Sequence, residues 1–394
     1  MKKIERAGKL FEETFGAPAG DVLAVHAPAR SEIAGNHTDH EGGHVIAGAL
    51  NVAVEGVAVA NGTGLVRVAS EGYPLFEVSL EDVAARPEER LTTASLVRGM
   101  ASCLKGTGRE PRGFDLALAS DIPVGGGLSS SAAVEVALGR AMEALWPGEP
   151  VPDLEIARMA QRAENEHFGK PCGLMDQLAV TLGGLAFMDF EDAGLPRFEK
   201  LELDFEQAGY ALCLVDVGCD HSAFTADYAA VPEEMQQVAL EFGCRRLCEV
   251  DADAFDGEVR RLREKLGDRA VLRAVHYWRE NELVDLRWRA LKAGDMDRFL
   301  ELTRESGASS AMFLQNVSAG GAYQPAMLAL GLAERALEGY GAVRIHGGGF
   351  GGSIQVFVPV DMAEGFAARM DAWMGEGSCR RYAVVEDGAG ASWL

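Results

Sequence analysis

Residues 123–133 read Pro-Val-Gly-Gly-Gly-Leu-Ser-Ser-Ser-Ala-Ala, and their flanks decide how they fold. Upstream, Phe114, Leu116 and Leu118 alternate with Asp115 and Ala117, the two-residue period of a half-buried strand. Downstream, Val134, Leu138, Ala141, Met142 and Leu145 recur at helical spacing until Pro147-Gly148 closes the run. The stretch therefore predicts a turn without bulky side chains joining a strand to a helix. Three glycines let the backbone approach a ligand, and three serines place hydroxyls where the first helical N–H groups have no intrahelical partner. The helix dipole adds roughly half a positive charge at the same point, so phosphate is the natural guest. A serine-capped turn without a ligand is the alternative.

Three familiar loops do not fit. A Walker loop needs Lys where Leu128 stands, and a dinucleotide fingerprint or protein-kinase glycine loop needs glycine where Ser130 sits. A nucleophile elbow needs glycine after its serine, and none follows Ser129. The pattern Pro-x-Gly-x-Gly-Leu-Ser-Ser-Ser-Ala-Ala instead resembles the phosphate loop of the GHMP small-molecule kinases, the superfamily of galactokinases and mevalonate kinases. That resemblance implies that Gly125, Gly126, Gly127, Leu128, Ser129, Ser130 and Ser131 wrap the phosphates of ATP.

A length of 394 residues suggests two or so domains of roughly 100–200 residues each. With 48% hydrophobic and 25% charged residues the composition is that of a soluble globular protein. A net charge of −23 argues against a nucleic-acid partner. It does not argue against ATP, because charges beyond roughly 8 Å are screened at physiological salt and local groups decide. No apolar run reaches the roughly 18 residues of a membrane span, and Lys2, Lys3 and Arg6 precede no apolar signal core, so the expected location is cytoplasmic. Seven irregularly spaced cysteines suit reduced thiols.

A helix over Glu5 to Phe15 and a strand over Val22 to His26 lead into a second informative stretch, residues 27–44. It crowds Arg30, Asn36, His37, Thr38, Asp39 and His40 into what reads as a glycine-punctuated loop. A metal site of His37, Asp39, His40 and His44 is disfavoured, because Gly42-Gly43 breaks the helix that would align His40 with His44. A solvated polar loop and a sugar clamp are the other readings. The stretch resembles the galactokinase signature Pro-Gly-Arg-Val-Asn-Leu-Ile-Gly-Glu-His-Thr-Asp-Tyr, matched at Pro28, Arg30, Gly35, His37, Thr38 and Asp39. Ala29, Ser31, Glu32, Ala34, Asn36 and His40 depart from it. The resemblance implies that Arg30 stabilises the transferring phosphoryl group, and that Asn36, His37, Thr38 and Asp39 hold the sugar.

Further strands are expected over Val45 to Val59 and Leu65 to Ser70, and helices over Thr93 to Lys105 and from an Asp153 cap to about His167. Ser70 matches a nucleotide-contacting position of the family, although a turn residue at a strand end reads the same way. A helix from Leu174 to Leu182 carries Asp176 in its first turn, where a carboxylate stabilises the helix end in any case. Yet Pro171-Cys-Gly-Leu-Met-Asp-Gln177 resembles the family's Pro-Cys-Gly-Ile-Met-Asp-Gln, with Glu164 twelve residues upstream of Asp176 where the family places a magnesium ligand. Tyr228, in His221-Ser-Ala-Phe-Thr-Ala-Asp-Tyr, corresponds to a sugar-binding Tyr, although Ala-Ala-Val-Pro follows here in place of the family's basic pair. Residues 231–316 read as largely helical. Arg344-Ile-His-Gly-Gly-Gly-Phe-Gly-Gly-Ser353 resembles the third galactokinase motif and is expected to close beside the phosphate cradle.

The resemblance implies an α/β plus α+β chain of the two-domain GHMP kinase fold. A mixed α/β domain over residues 1–200 would carry the sugar signature and phosphate loop, and a ferredoxin-like α+β domain over 201–394 would complete the cleft. It further implies a kinase that phosphorylates the anomeric hydroxyl of galactose with ATP and Mg2+. In that reading Asp176 is the base, Arg30 its partner, and Ser131 and Glu164 the metal ligands. Galacturonate is an alternative substrate if Asn36, lacking a charge, tolerates a carboxylate at C6. A catalytically silent sugar and ATP sensor is a second alternative. The expected partners are ATP and a small sugar, with no nucleic acid and no membrane, in a monomer or small homo-oligomer.

Overall fold

The computed structural model describes residues 3–123, 125–219 and 224–394. Val124 of the glycine stretch and His221-Ser222-Ala223 of the Tyr228 segment lie outside the described residues. The first part runs α1 (Lys3–Phe15), β1 (Leu23–Ala34), β2 (His44–Ala60), β3 (Leu65–Ser70), β4 (Phe76–Ser79), α2 (Thr93–Gly106), β5 (Phe114–Ser120), α3 (Ser130–Leu145), α4 (Asp153–Arg162), α5 (Met175–Leu182), β6 (Leu185–Asp189) and β7 (Arg197–Leu201). The second runs β8 (Tyr210–Asp216), α6 (Thr225–Leu240), α7 (Ala252–Leu266), α8 (Asp268–Ala293), α9 (Met296–Ser309), α10 (Pro325–Leu337), β9 (Ala342–Ile345), β10 (Ser353–Pro359), α11 (Ala363–Met374), β11 (Cys379–Tyr382) and β12 (Gly390–Trp393).

Strand β2 organises the first sheet. Its 17 residues pair with β1 on one side, and on the other with β6 near its start and β5 near its end. The path continues through β3 to β4, and β3 and β5 are parallel because α2 crosses between β4 and β5. Strand β5 is buried on both faces, not half-buried. Leu116 and Leu118 face the core beneath α2 and α3, while Ala117 and Ala119 lie under α1 with Val57, Val59 and Phe11. An amphipathic helix thus covers the face that alternation alone assigned to solvent.

The second sheet has the order β11-β8-β10-β9, antiparallel throughout, which is the arrangement of a ferredoxin-like βαββαβ unit with helices α6 to α10 in its first crossover. Ala211, Cys213 and Val215 face α10 and α11, whereas Leu212, Leu214 and Phe357 turn toward Phe205 and Phe299. Strand β12 returns to the first sheet, pairing Leu23 with Trp393 through to His26 with Gly390. A division at residue 200 therefore parts β12 from its partner strand. Among the described residues no helix is long and apolar enough to cross a membrane.

One local expectation is corrected in β1. The polar run from residue 27 reads as a loop, but the strand continues to Ala34, bulging beside Pro28, and Arg30, Ser31 and Glu32 are buried in it. They are satisfied across the fold. Arg344 Nη2 donates to Glu32 Oε1 at 2.7 Å, and Gln355 Nε2 donates to Ser31 Oγ at 3.0 Å and to the Glu32 carbonyl at 2.8 Å. Asp153, expected to cap its helix, is the first residue inside it after Pro152 and pairs instead with Arg140.

Candidate active site

The glycine stretch forms the predicted strand-to-helix turn. Gly125 and Gly127 have φ of 79° and 71°, the left-handed region where a side chain is strained. Ser129 takes φ 53° without being glycine, a strain of roughly 1 kcal/mol or more that its contacts must offset. Its hydroxyl donates to Asp176 Oδ2. The turn is tied from outside as well: the Arg30 N–H donates to the Leu128 carbonyl at 3.3 Å, and Ser353 Oγ to the Gly126 carbonyl at 3.1 Å. His346 stands between Ser353 and Ser31, 3.0 Å from each hydroxyl. A cleft of about 360 Å³ opens over the turn, lined also by Arg30, Lys170, Asp176, Tyr228 and Gly347-Gly348. That size suits a small-molecule site.

Asp176 reaches the cleft from the first turn of α5, a short helix whose approach requires Gly173: a Cβ there would overlap the Asp39 carboxylate. Arg30 Nε donates to Asp176 Oδ1 at 2.6 Å and its Nη1 to the Gly127 carbonyl at 2.7 Å. Burial pushes the Asp176 carboxyl up, but the Arg30 charge and hydrogen bond, the Ser129 hydroxyl and Lys170 outweigh it and hold the group below the usual Asp value. The carboxylate is ionised at neutral pH and aimed by two donors.

The helix expected to reach His167 changes character at Ala163, where a π-helical turn runs to Phe168. Such turns recur at functional sites because they re-aim a side chain. This one carries Glu164, whose Oε1 lies 3.3 Å from Ser131 Oγ and whose Oε2 accepts from Gln177 Nε2 at 2.8 Å. Gln177 also donates to Glu135 Oε2 at 3.0 Å, and burial with the neighbouring Glu164 pushes the Glu135 carboxyl well above its usual value. Two hard oxygen donors at the edge of an anion cradle match the chemistry of Mg2+, which takes one or two protein oxygens and completes its shell with phosphates and water.

The sugar-signature residues are placed less uniformly. Asp39 sits in a short 3-10 turn against Gly173, close enough to Asp176 to feel its charge. His37 is 7% exposed, its Nε2 bonded to the Gly348 carbonyl at 2.9 Å and its ring 5.4 Å from that of Tyr228; burial and His40 push its pKa down to about 3. Tyr228 lines the cleft, packed so closely on Gly348 that a Cβ there would overlap its ring. None of Asn36, His37, Thr38 and Asp39 is among the residues lining it, and Asn36 and Thr38 lie deepest. Both are fully buried: Thr38 Oγ1 donates to the carbonyls of Gly35 at 2.9 Å and His44 at 2.7 Å, while the Asn36 amide is bound to Gly347, Glu32 and Asn316. Ser70 ends β3 beside Leu118 and is not among the residues lining the cleft.

Two family models match the first half of the chain. The galactokinase galactose-binding signature matches residues 9–59 and the GHMP kinases N terminal domain matches residues 95–184. The galactokinase of Glaesserella parasuis serovar 5 is 30% identical over 370 residues, 92% of each chain, and that of Mannheimia succiniciproducens is 31% identical over 369, again 92% of each. The chain belongs to the galactokinase family. It is a kinase, a phosphotransferase of the GHMP class. Its fold is that of Lactococcus lactis galactokinase, crystallised with galactose, with a TM-score of 0.82 at 24% identity over 98% of each chain. Mevalonate kinase shares the fold more distantly, with a TM-score of 0.65 at 15% identity.

Within this galactokinase-family cleft, several residues were not read from sequence. Glu135 carried a signal: it is the one charge between Ser131 and Arg140 on the apolar run of α3, and it is fully buried. Gln177 closes the matched motif at 171–177, but its role is not legible there, because only the tertiary fold brings it between Glu135 and Glu164. Lys170 is likewise invisible, whereas His346 and Ser353 belong to the 344–353 motif, which lies beside the phosphate turn as expected.

Proposed function

We propose that this chain transfers the γ-phosphoryl group of ATP to the anomeric hydroxyl of galactose, giving galactose 1-phosphate and ADP. The observation that carries the reading is Asp176, ionised and held by Arg30 and Ser129 at the mouth of an anion-binding turn. In this reading residues 125–131 cradle the phosphates and the first N–H groups of α3 face them. The galactose O1 attacks the γ-phosphorus, its proton passes to Asp176, and the bond to the bridging oxygen breaks with its electrons leaving on ADP. Arg30 stays charged and offsets charge on the phosphoryl oxygens. Ser131 and Glu164 would hold Mg2+, which when bound neutralises phosphate charge. A carboxylate with a depressed pKa is a weak base, so holding O1 and phosphorus in line supplies most of the rate.

Asp39, His37 and Tyr228 are the sugar-side groups of this proposal. Neutral His37, tied to the Gly348 carbonyl, fixes the loop against which Tyr228 rests. The galacturonate alternative required Asn36 to face the sugar, and its buried, fully engaged amide removes that ground. The test is product analysis by phosphorus NMR with ATP, Mg2+ and either sugar. Galactose 1-phosphate formed with galactose and nothing with galacturonate is expected. Galacturonate preferred over galactose would overturn the substrate, and no sugar-dependent ADP with either would favour a sensor.

A further inference from the structure

The cleft lining described above contains two cations, Arg30 and Lys170. Arg30 is committed to the protein, with Nε on Asp176 and Nη1 on the Gly127 carbonyl. Lys170 differs. Its side chain is 58% exposed, and its nearest carboxylate oxygen, Glu164 Oε1, lies 3.5 Å from Nζ. A charge-assisted hydrogen bond is ordinarily about 2.7–2.9 Å, so Lys170 pairs only loosely with Glu164 and keeps donors for a ligand.

The backbone fixes where this side chain starts. Gly169 takes φ 85°, and the N–H groups of Gly169 and Lys170 both donate to the Glu164 carbonyl, at 2.9 and 3.2 Å. Pro171 follows and disfavours helical geometry at Lys170. The residue that offers its carboxylate to Ser131 thus anchors Lys170 through its carbonyl. The surroundings are otherwise acidic, with Glu135, Glu164 and Asp176 gathered at a turn that must accept a polyanion.

We propose that Lys170 is a phosphate-binding residue, its ammonium reaching the terminal phosphoryl groups of a nucleoside triphosphate from the Glu164 side of the cleft. This rests on the nucleotide reading of the site given above. It differs from a structural pair with Glu164 alone, which would touch no ligand.

The test is calorimetric binding of adenosine, ADP and a non-hydrolysable ATP analogue to the full chain and to Lys170→Met and Lys170→Arg, each with Mg2+ and with EDTA. Lys170→Met is expected to weaken the triphosphate analogue by about tenfold, ADP by less and adenosine not at all, with the larger loss in EDTA. Lys170→Arg should bind within about twofold of the unmodified chain. Triphosphate binding by Lys170→Met within about twofold of the unmodified chain in both conditions would overturn the proposal, as would equal weakening of all three ligands. Because sugar phosphorylation plays no part in the readout, failure of galactose as acceptor and failure of Lys170 as phosphate ligand are separate results.

Discussion

On the cleft wall built from Pro123, residues 125–131 and residues 164–176, polar side chains end at the opening: Ser131, Lys170 and the pair Arg30–Asp176 all border it. In the seam where β1 meets β9 and β10, equally polar side chains are sealed in: Glu32, Asn36, Arg344 and Gln355 are at most 3% exposed and bond to one another or to backbone. Burial even pushes Arg287, beside Arg344, down to about 9. The first arrangement leaves charge available to a ligand. The second uses charge to hold two sheets in one orientation, so that the Gly347-Gly348 loop and the Gly125-to-Ser131 turn meet.

That contrast can be broken from either side. Asp176→Ala should lower turnover by roughly 10²–10⁴-fold while the melting curve stays close to that of the unmodified chain, since the residue borders the cleft. A large drop in stability with it would move Asp176 into the seam's class. Arg344→Met should do the reverse, lowering stability in denaturant melts by about 3–5 kcal/mol because Glu32 is left buried without its cation. The double change Glu32→Leu with Arg344→Met should recover much of that loss; no recovery would mean that the pair's worth lies elsewhere.

A smaller effect is read in the pH profile. Because Arg30 holds the Asp176 carboxyl down, the base stays ionised as pH falls through mildly acid values, and kcat/KM should show no Asp176 limb above about pH 4. The stability that the pair contributes follows the same sign, present above the ordinary Asp value and lost only as pH falls through the depressed one. In Arg30→Met, burial acts unopposed by the guanidinium, so an acid limb should rise toward neutrality in whatever activity is left. An unchanged limb would show that Arg30 does not set the ionisation of Asp176. Smallest of all, Tyr228→Phe should reduce kcat/KM for galactose by about 2- to 15-fold, the value of one hydrogen bond, with nucleotide affinity unchanged.

The same contrast explains what could be read in advance. The phosphate turn was legible because its causes are local: glycines needing positive φ, a preceding strand and a following helix. Asp176 and Glu164 are chemically ordinary in isolation, and only their resemblance to family motifs singled them out. Residues 27–34 misled for a physical reason. A strand carrying Arg, Ser and Glu looks like a loop unless Arg344 and Gln355, some 300 positions later, are known to lie against it. Asn36 and Thr38 read as sugar ligands through the resemblance to the family signature, and partners similarly distant in the chain seal Asn36 in. The chain has Glu32 and Asn36 where the family signature has Asn and Glu, and the two side chains touch at 3.3 Å, so the carboxylate and amide have exchanged places within one buried contact. Helix α1 is legible from its own periodicity, but its place over Ala117 is not, and the π-helical turn at Glu164 leaves no periodicity that could be read.

The most direct test is a crystal structure with galactose and a non-hydrolysable ATP analogue together. The account predicts galactose O1 within about 2.6–3.2 Å of an Asp176 carboxylate oxygen, in line with a γ-phosphorus held over residues 125–131. A sugar whose O1 points away from Asp176, or a triphosphate bound elsewhere than over that turn, would contradict it.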